Sequence, residues 1–129
     1  MVKRILFVCG HNAGRSQMAQ ALFNHLNTNS EFVAESAGTN IGSSVNKQCV
    51  KALQENGIDM SDSSQFFPKK IDMSKQYEKV ISMGCNVRCA LPIDEDFGLD
   101  DPHEQSLESV KKIRDQLQGK IQKLVETLV

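Results

Sequence analysis

The 129-residue sequence has almost no excess of charge of either sign, with a formal net charge of -1 at pH 7. We therefore expect no extended basic surface and no nucleic-acid partner. No run approaches the roughly 18 apolar residues that cross a membrane, so no membrane partner is expected. The apolar residues 5–8, behind Lys3 and Arg4, are too few for the core of a secretion signal. We expect a cytoplasmic monomer with one domain, residues 1–129.

Cysteine is scarce as well, and the four cysteines are Cys9, Cys49, Cys85 and Cys89. In a reducing compartment, cysteines are more often catalytic or metal-binding than joined in structural disulfides. Zinc sites commonly pair two C-x2-C motifs. Here the two closest cysteines are separated by three residues, and only Cys9 and scattered histidines could complete a site. We therefore predict no metal, and we expect Cys49, on the apolar face of a predicted helix, to lie in the core.

Short apolar runs alternate with stretches of helical periodicity. Strands are predicted at residues 5–8, 32–34, 80–83 and, as a short fourth strand, 97–99. Helices are predicted from the first apolar stripe, 18–26, and from two later ones, 45–53 and 107–128. This alternation predicts an α/β fold, a single-domain, doubly wound, four-stranded parallel sheet flanked by helices. Ligands bind at the C-terminal ends of such strands, where Cys9, Gly84 and Asp101 would meet.

The segment between the first predicted strand and helix is Cys9-Gly10-His11-Asn12-Ala13-Gly14-Arg15-Ser16. Its glycines and alanine allow the backbone to curl so that successive N–H groups point at a bound anion. The helix that follows adds the positive end of its dipole. Arg15 can close the ring with a bidentate fork on two oxyanion oxygens. The segment is therefore a candidate oxyanion-binding loop, residues 9–16.

A thiol at the floor of such a loop would be a thiolate at neutral pH, and Cys9 occupies that position. We expect Asn12 to hold the loop in shape and Ser16 to hydrogen-bond the sulfur. The alternative interpretation is a tight strand-to-helix turn that happens to bury a cysteine at the strand end.

This loop, together with Asp100-Asp101-Pro102, resembles the low-molecular-weight protein tyrosine phosphatase superfamily. Within it, the chain is most similar to the thioredoxin-coupled arsenate reductases. Arg15-Ser16-Gln17-Met18-Ala19 resembles the reductase form of the loop, whereas the phosphatases usually have proline at the position of Gln17. The resemblance implies a low-molecular-weight phosphatase-like fold, with Cys9 as nucleophile and residues 10–16 as the substrate-binding loop.

By the same resemblance, Asp101 is the general acid that protonates the departing oxygen. The residues themselves also allow a second interpretation. Asp101 as N-cap, Pro102 at the first helical position and Glu104 at the third would make an acceptable helix start.

The pair Cys85 and Cys89, just after the third predicted strand, favours a reductase. The resemblance implies a relay in which Cys9 attacks arsenate and Cys85 then attacks the sulfur of Cys9, releasing arsenite. Cys89 would take over the disulfide, which thioredoxin or a similar thiol reductant would reduce. No bound cofactor is implied, because the electrons pass through thiols.

Two other functions stay open. A hydrolase of phosphotyrosine or of a small phosphate ester would need only Cys9, Arg15 and Asp101. However, His103-Glu104 follow Pro102 where the phosphatases generally carry aromatic residues, and the only tyrosine is Tyr77. A non-enzymatic oxyanion or redox sensor could use the same thiols.

Overall fold

The computed structural model describes residues 2–84 and 89–128. Its elements, in chain order, are β1 (Lys3–Cys9), α1 (Arg15–Leu26), β2 (Phe32–Gly38), α2 (Lys47–Gln54), β3 (Lys79–Ser82), β4 (Glu95–Asp96) and α3 (Leu107–Thr127). The strands form one parallel sheet in the order β2-β1-β3-β4. The predicted α/β fold with a four-stranded parallel sheet is thus confirmed. In the described part of the chain, no helix is long and apolar enough to cross a membrane.

β1 lies in the interior of the sheet because it is apolar on both faces. Its successive side chains enter two different cores, as the alternation of a strand requires. Ile5 and Phe7 pack with buried side chains of all three helices. Leu6 and Val8 enter a smaller core on the other face. That smaller core also contains Ala37 and Val80, and partly buried side chains pack against it, namely Ile71, Tyr77, Cys89 and Leu91.

The fourth strand differs from its prediction, since it comprises Glu95–Asp96 and not residues 97–99. Phe97 and Leu99 are both buried, which explains why this stretch has the pattern of a strand. Gly98 between them has a φ of 63°, in the left-handed region, so the extended conformation does not continue through it. The chain instead turns toward the C-terminal edge of the sheet.

The last helix is fixed at its start and along its length. Ser106 is the N-cap of α3, and its Oγ accepts a hydrogen bond from the Ser109 N–H at 3.2 Å. The buried Arg114 donates through Nη1 to the carbonyl of Ala52 in α2, at 2.7 Å. α3 therefore holds α2 in place, and the N-terminus of α2 borders the candidate site described below.

Candidate active site

The loop of residues 9–16 turns its carbonyl groups away from its centre. The carbonyl oxygens of Cys9, Gly10, His11 and Ala13 accept N–H groups of Thr39, Asn40, Gly42 and Asn46, in that order, at 3.2, 2.8, 2.9 and 2.6 Å. The carbonyl and N–H of a trans peptide point in opposite directions. The N–H groups of the loop are therefore left to face its centre, the arrangement that binds an anion.

The close approach of this loop to the end of β2 depends on Gly38. A Cβ atom at residue 38 would lie 2.7 Å from the Gly10 carbonyl oxygen and 2.9 Å from Asn12 Cβ. Any side chain at this position would push the loop away from the sheet. Gly38 also pairs with Cys9 in the register of β1 and β2, so the sheet itself sets the position of the cysteine.

Two groups hydrogen-bond the buried sulfur of Cys9. The Ser16 Oγ lies 2.8 Å from Cys9 Sγ, and the Asn12 N–H donates to the same sulfur at 3.2 Å. The Asn12 side chain donates through Nδ2 to Ser16 Oγ at 2.7 Å, so the Ser16 hydroxyl has its own proton to give to the sulfur. Asn12 reaches this position with a φ of 52°. These contacts fix the position of the Cys9 sulfur at the floor of the loop.

Arg15 is buried at the first position of α1, and its guanidinium extends across the edge of the sheet. Its Nη1 donates to the carbonyl of Leu99 at 2.8 Å. Gly84, at the end of β3, lies directly against the same nitrogen, where a Cβ would come within 2.5 Å. Two chain segments, at Gly84 and Leu99, therefore pack against the guanidinium, and Arg15 also lines the cavity.

A cavity of about 400 Å³ opens above the loop. Its lining includes the predicted residues Cys9, Gly10, His11, Ala13, Gly14, Arg15 and Asp101. The side chains of Asn12 and Ser16 lie behind this wall, fully buried; Ser16 Oγ contacts the sulfur, and the Asn12 side chain contacts Ser16 Oγ. The structure thus brings seven of the predicted site residues to one cavity and places Asn12 and Ser16 behind it.

Asp101 lines the same cavity as the loop, and its side chain is exposed. Its Oδ1 accepts the His103 N–H at 2.9 Å. The alternative interpretation of Asp101 as the cap of the last helix is wrong, because Ser106 caps α3. Glu104, with a φ of 57°, separates the two residues and prevents a helix from starting at Asp101.

The sequence-based prediction missed one wall of the cavity. Ser44, Val45, Asn46 and Lys47 line it, from the segment that connects β2 to α2. The rule that ligands bind beyond the C-terminal ends of strands does point to this segment, but no local motif marks it. Asn46 is the N-cap of α2 and also supplies one of the N–H groups that hold the loop.

Basic side chains surround the mouth of the cavity. Lys47, His11 and His103 all border it, and the two imidazole rings face each other with centroids 6.3 Å apart. No aromatic ring of phenylalanine or tyrosine lines the cavity among the described residues. The mouth therefore suits a small anion better than the flat ring of an aryl phosphate.

Cys49 lies behind the loop and is fully buried. Burial raises its pKa to about 12, and the nearby charges of Cys9 and Asp101 act in the same direction. A thiol with this pKa stays protonated at neutral pH, so Cys49 is not a nucleophile there. Its position agrees with the expectation of a core residue.

Cys89 is half-buried and packs against the smaller core on the other face of the sheet. The predicted partner of this residue, Cys85, lies outside the described residues. Residues 2–84 and 89–128 hold no group of three or more histidine, cysteine or acidic side chains placed to bind a metal ion.

Comparison with protein families gives a match over residues 4–129 to the family described as low molecular weight phosphotyrosine protein phosphatase. A curated relative, the glutaredoxin arsenate reductase of a Synechocystis species, is 33% identical over 132 residues, which cover 96% of this chain and 97% of the relative.

Solved structures agree in fold. A structure described as an arsenate reductase in the phosphate binding state superposes with a TM-score of 0.85 at 30% identity, covering 99% of this chain and 100% of the other. The thioredoxin-dependent arsenate reductase of Corynebacterium glutamicum superposes with a TM-score of 0.78 at 30% identity, covering 98% of this chain and 61% of that one.

Proposed function

The chain belongs to the low molecular weight phosphotyrosine protein phosphatase family, and we propose that it is an arsenate reductase that uses Cys9 as its nucleophile. The proposal is carried by the position of the Cys9 sulfur. It lies at the floor of a loop whose carbonyl groups point outward and which Arg15 closes. This geometry suits a tetrahedral oxyanion. The curated relative and the two solved structures, each at 30% identity or more, are named as arsenate reductases and favour arsenate as that oxyanion.

In the first step, the Cys9 thiolate attacks arsenic while the loop N–H groups and the Arg15 guanidinium hold the other oxygens. The S–As bond forms and one As–O bond breaks. The departing hydroxide takes the proton of Asp101 and leaves as water. Arsenic remains in the pentavalent state, bound to Cys9. Asp101 lines the same cavity as Cys9 and Arg15, which suits this role.

In the second step, the reduction takes place. The Cys85 thiolate attacks the sulfur of Cys9, the S–As bond breaks, and its electron pair stays on arsenic. Arsenite leaves, and the two sulfurs form a Cys9–Cys85 disulfide. Cys85 follows Gly84 in the sequence, and Gly84 touches the Arg15 guanidinium. The position of Gly84 beside Arg15 therefore supports an attack of Cys85 on Cys9 over a short distance.

The third step regenerates the nucleophile. Cys89 attacks Cys85, the Cys9 thiolate is released, and the disulfide moves to Cys85–Cys89. Cys89 packs on the smaller core, away from the cavity, and is partly exposed. A disulfide there is open to a thiol reductant. Two relatives are named for thioredoxin and glutaredoxin, which suggests one of these reductants in this role.

A phosphate monoester hydrolase is the second candidate, and the family to which the chain belongs favours it. Cys9, Arg15 and Asp101 would suffice for this reaction. The basic mouth formed by Lys47, His11 and His103 argues against a phosphotyrosine ring as the preferred leaving group.

The decisive experiment measures both reactions with one preparation. Arsenate-dependent oxidation of NADPH is followed with thioredoxin and thioredoxin reductase, and separately with glutaredoxin, glutathione and glutathione reductase. Hydrolysis of 4-nitrophenyl phosphate is followed in parallel, with Cys9→Ser as the inactive control. We expect rapid arsenate turnover with one of the two systems and slow hydrolysis. Rapid hydrolysis without arsenate turnover would establish a phosphatase, and arsenate binding without either reaction would favour a sensor.

A further inference from the structure

We propose that Gln17 is a positioning residue whose side-chain amide sets the direction of the hydrogen bonds beneath the Cys9 sulfur. The inference rests on the proposed function only in taking Cys9 as the nucleophile, which a reductase and a phosphatase share. Gln17 is fully buried in the first turn of α1, behind the loop and away from the cavity. It therefore acts through other residues and does not touch substrate.

The orientation of the Gln17 amide follows from its surroundings. Its Nε2 lies 2.9 Å from the Asn12 carbonyl oxygen, 3.1 Å from Asn12 Oδ1 and 2.9 Å from the Phe67 carbonyl oxygen. All three neighbours are oxygens, and two of them are backbone carbonyls, which can only accept. The opposite orientation would place Oε1 against three acceptors. The donor end must therefore face Asn12.

The orientation of the Gln17 amide also affects that of the Asn12 side-chain amide. The Oδ1 of Asn12 accepts from Gln17 Nε2 and also from the Lys69 N–H at 3.0 Å. With its oxygen held by two donors, the Asn12 amide must point its Nδ2 toward Ser16 Oγ, 2.7 Å away. The Asn12 carbonyl is held by the same Gln17 group, which supports the left-handed conformation of that residue.

Ser16 is the last residue of this hydrogen-bond network before the Cys9 sulfur. Since its Oγ accepts from Asn12 Nδ2, its hydroxyl proton is free to be donated to Cys9 Sγ at 2.8 Å. An Asn12 amide turned the other way would accept the Ser16 proton and withdraw it from the sulfur. Gln17, together with the Lys69 N–H, thereby directs the Ser16 hydroxyl proton toward the sulfur.

The arrangement carries a cost that packing alone does not explain. Gln17 Oε1 is buried and has no hydrogen-bond partner among the described residues. An unsatisfied buried acceptor destabilises a folded protein. The donor end makes three hydrogen bonds, whereas the acceptor end makes none among the described residues.

The test is the pH profile of Cys9 alkylation by iodoacetamide in the reduced protein, which needs no arsenate and no reductant. Mass spectrometry of the tryptic peptide 5–15 isolates Cys9 from the other cysteines. Gln17→Met keeps the length of the side chain and removes the amide. We expect its rate at pH 6 to fall about three- to tenfold, because a hydrogen bond to the charged sulfur is weakened. The rate at pH 10 should stay within about twofold.

Gln20→Met is the matched control. Gln20 is buried one turn further along α1, and its side chain accepts a single hydrogen bond, from Ser36 Oγ at 2.6 Å. Its alkylation profile should match that of the parent. If Gln17→Met fails to fold, Gln17→Pro serves instead, because a proline in the first helical turn removes no intrahelical hydrogen bond.

A double variant tests whether Gln17 affects the Cys9 sulfur through Ser16. If Gln17 acts through Ser16, Ser16→Ala and Ser16→Ala with Gln17→Met should have the same profile. An unchanged profile in Gln17→Met, or an equal fall in rate at pH 6 and pH 10, would overturn the proposal. The alkylation rates can be interpreted even if the parent protein does not turn over arsenate. Failure of the inference and failure of the proposed function are therefore distinguishable.

Discussion

The guanidinium of Arg15 occupies the space that a side chain at Gly84 would need. A Cβ at residue 84 would lie 2.5 Å from Arg15 Nη1 and 2.5 Å from the Leu99 carbonyl oxygen. Arg15 could bend away, but the carbonyl belongs to the backbone that Arg15 itself binds. Two segments of the sheet edge are therefore packed around one charged group with no room for a methyl group.

Gly84→Ala should consequently damage oxyanion binding more than folding. Displacement of the guanidinium breaks its bidentate hydrogen bonds to the oxyanion. The KM for arsenate, or for an aryl phosphate, should therefore rise at least about tenfold. Unfolding in urea should report a loss of about 1–3 kcal/mol from overpacking. Gly119→Ala, at a position in α3 with open space around it, is the control and should leave the KM unchanged. A parental KM in Gly84→Ala would contradict this account.

Cys89→Ser should separate the first turnover from those that follow. With Cys9 and Cys85 intact, one equivalent of arsenite per protein should form in a burst. Steady turnover with the reductant should fall to less than about a hundredth of the parental rate, because the disulfide stays on Cys9. Quantifying arsenite in quenched single- and multiple-turnover samples gives both values. Cys49→Ala, which alters a protonated core thiol, is the control. Undiminished cycling by Cys89→Ser would exclude the third step.

The parts of the site that could be predicted are those encoded locally. The apolar run of residues 5–8 defines a central strand, and the loop after it carries both Cys9 and Arg15 within seven residues. The third strand was predicted for the same reason. Each of these features depends on neighbours in sequence, so a single sequence contains the information.

The missed parts depend on contacts between distant backbone groups. The segment holding Asn46 and Lys47 reaches the cavity through N–H groups that bind loop carbonyls, and any residue but proline can supply such a group. The residues allow a helix start at Asp101, but the N-cap of the last helix in the structure is Ser106. The backbone conformation of Glu104 decides between them, and its side chain gives no sign of that.

Asp101→Asn should test the general acid with little effect on the fold. Asparagine keeps an oxygen that can accept the His103 N–H, and Ser106 remains the cap of α3, so the free energy of unfolding should change by less than about 0.5 kcal/mol. Hydrolysis of phenyl phosphate should fall roughly hundredfold, because its leaving group needs a proton. Hydrolysis of 4-nitrophenyl phosphate, with a better leaving group, should fall less. Equal losses for both esters would mean that Asp101 does not protonate the leaving oxygen.

The raised pKa of Cys49 predicts a loss of stability in alkali. In the folded protein this pKa is about 12, against an ordinary value of 9.0 for a cysteine thiol. The neutral thiol is thus favoured by the folded state, and its contribution is fully present below pH 9. It is lost as the pH rises toward 12, because only the unfolded chain then releases the proton. The free energy of unfolding should therefore decline by up to about 1.4 kcal/mol per pH unit in this window.

Cys49→Ala removes this group and leaves the other alkaline titrations in place. Urea unfolding of the reduced parent and of Cys49→Ala is measured from pH 7.5 to 10.5, and the difference between their unfolding free energies is plotted. The alanine variant should be less stable at pH 7.5, since its methyl group leaves a cavity. The difference in unfolding free energy should shrink above pH 9. Only the parent is destabilised there, because its buried thiol ionises less easily in the folded state than in the unfolded chain. A difference that stays constant across the whole range would show that Cys49 ionises as easily in the folded state as in the unfolded chain, and that its sulfur is not shielded from water.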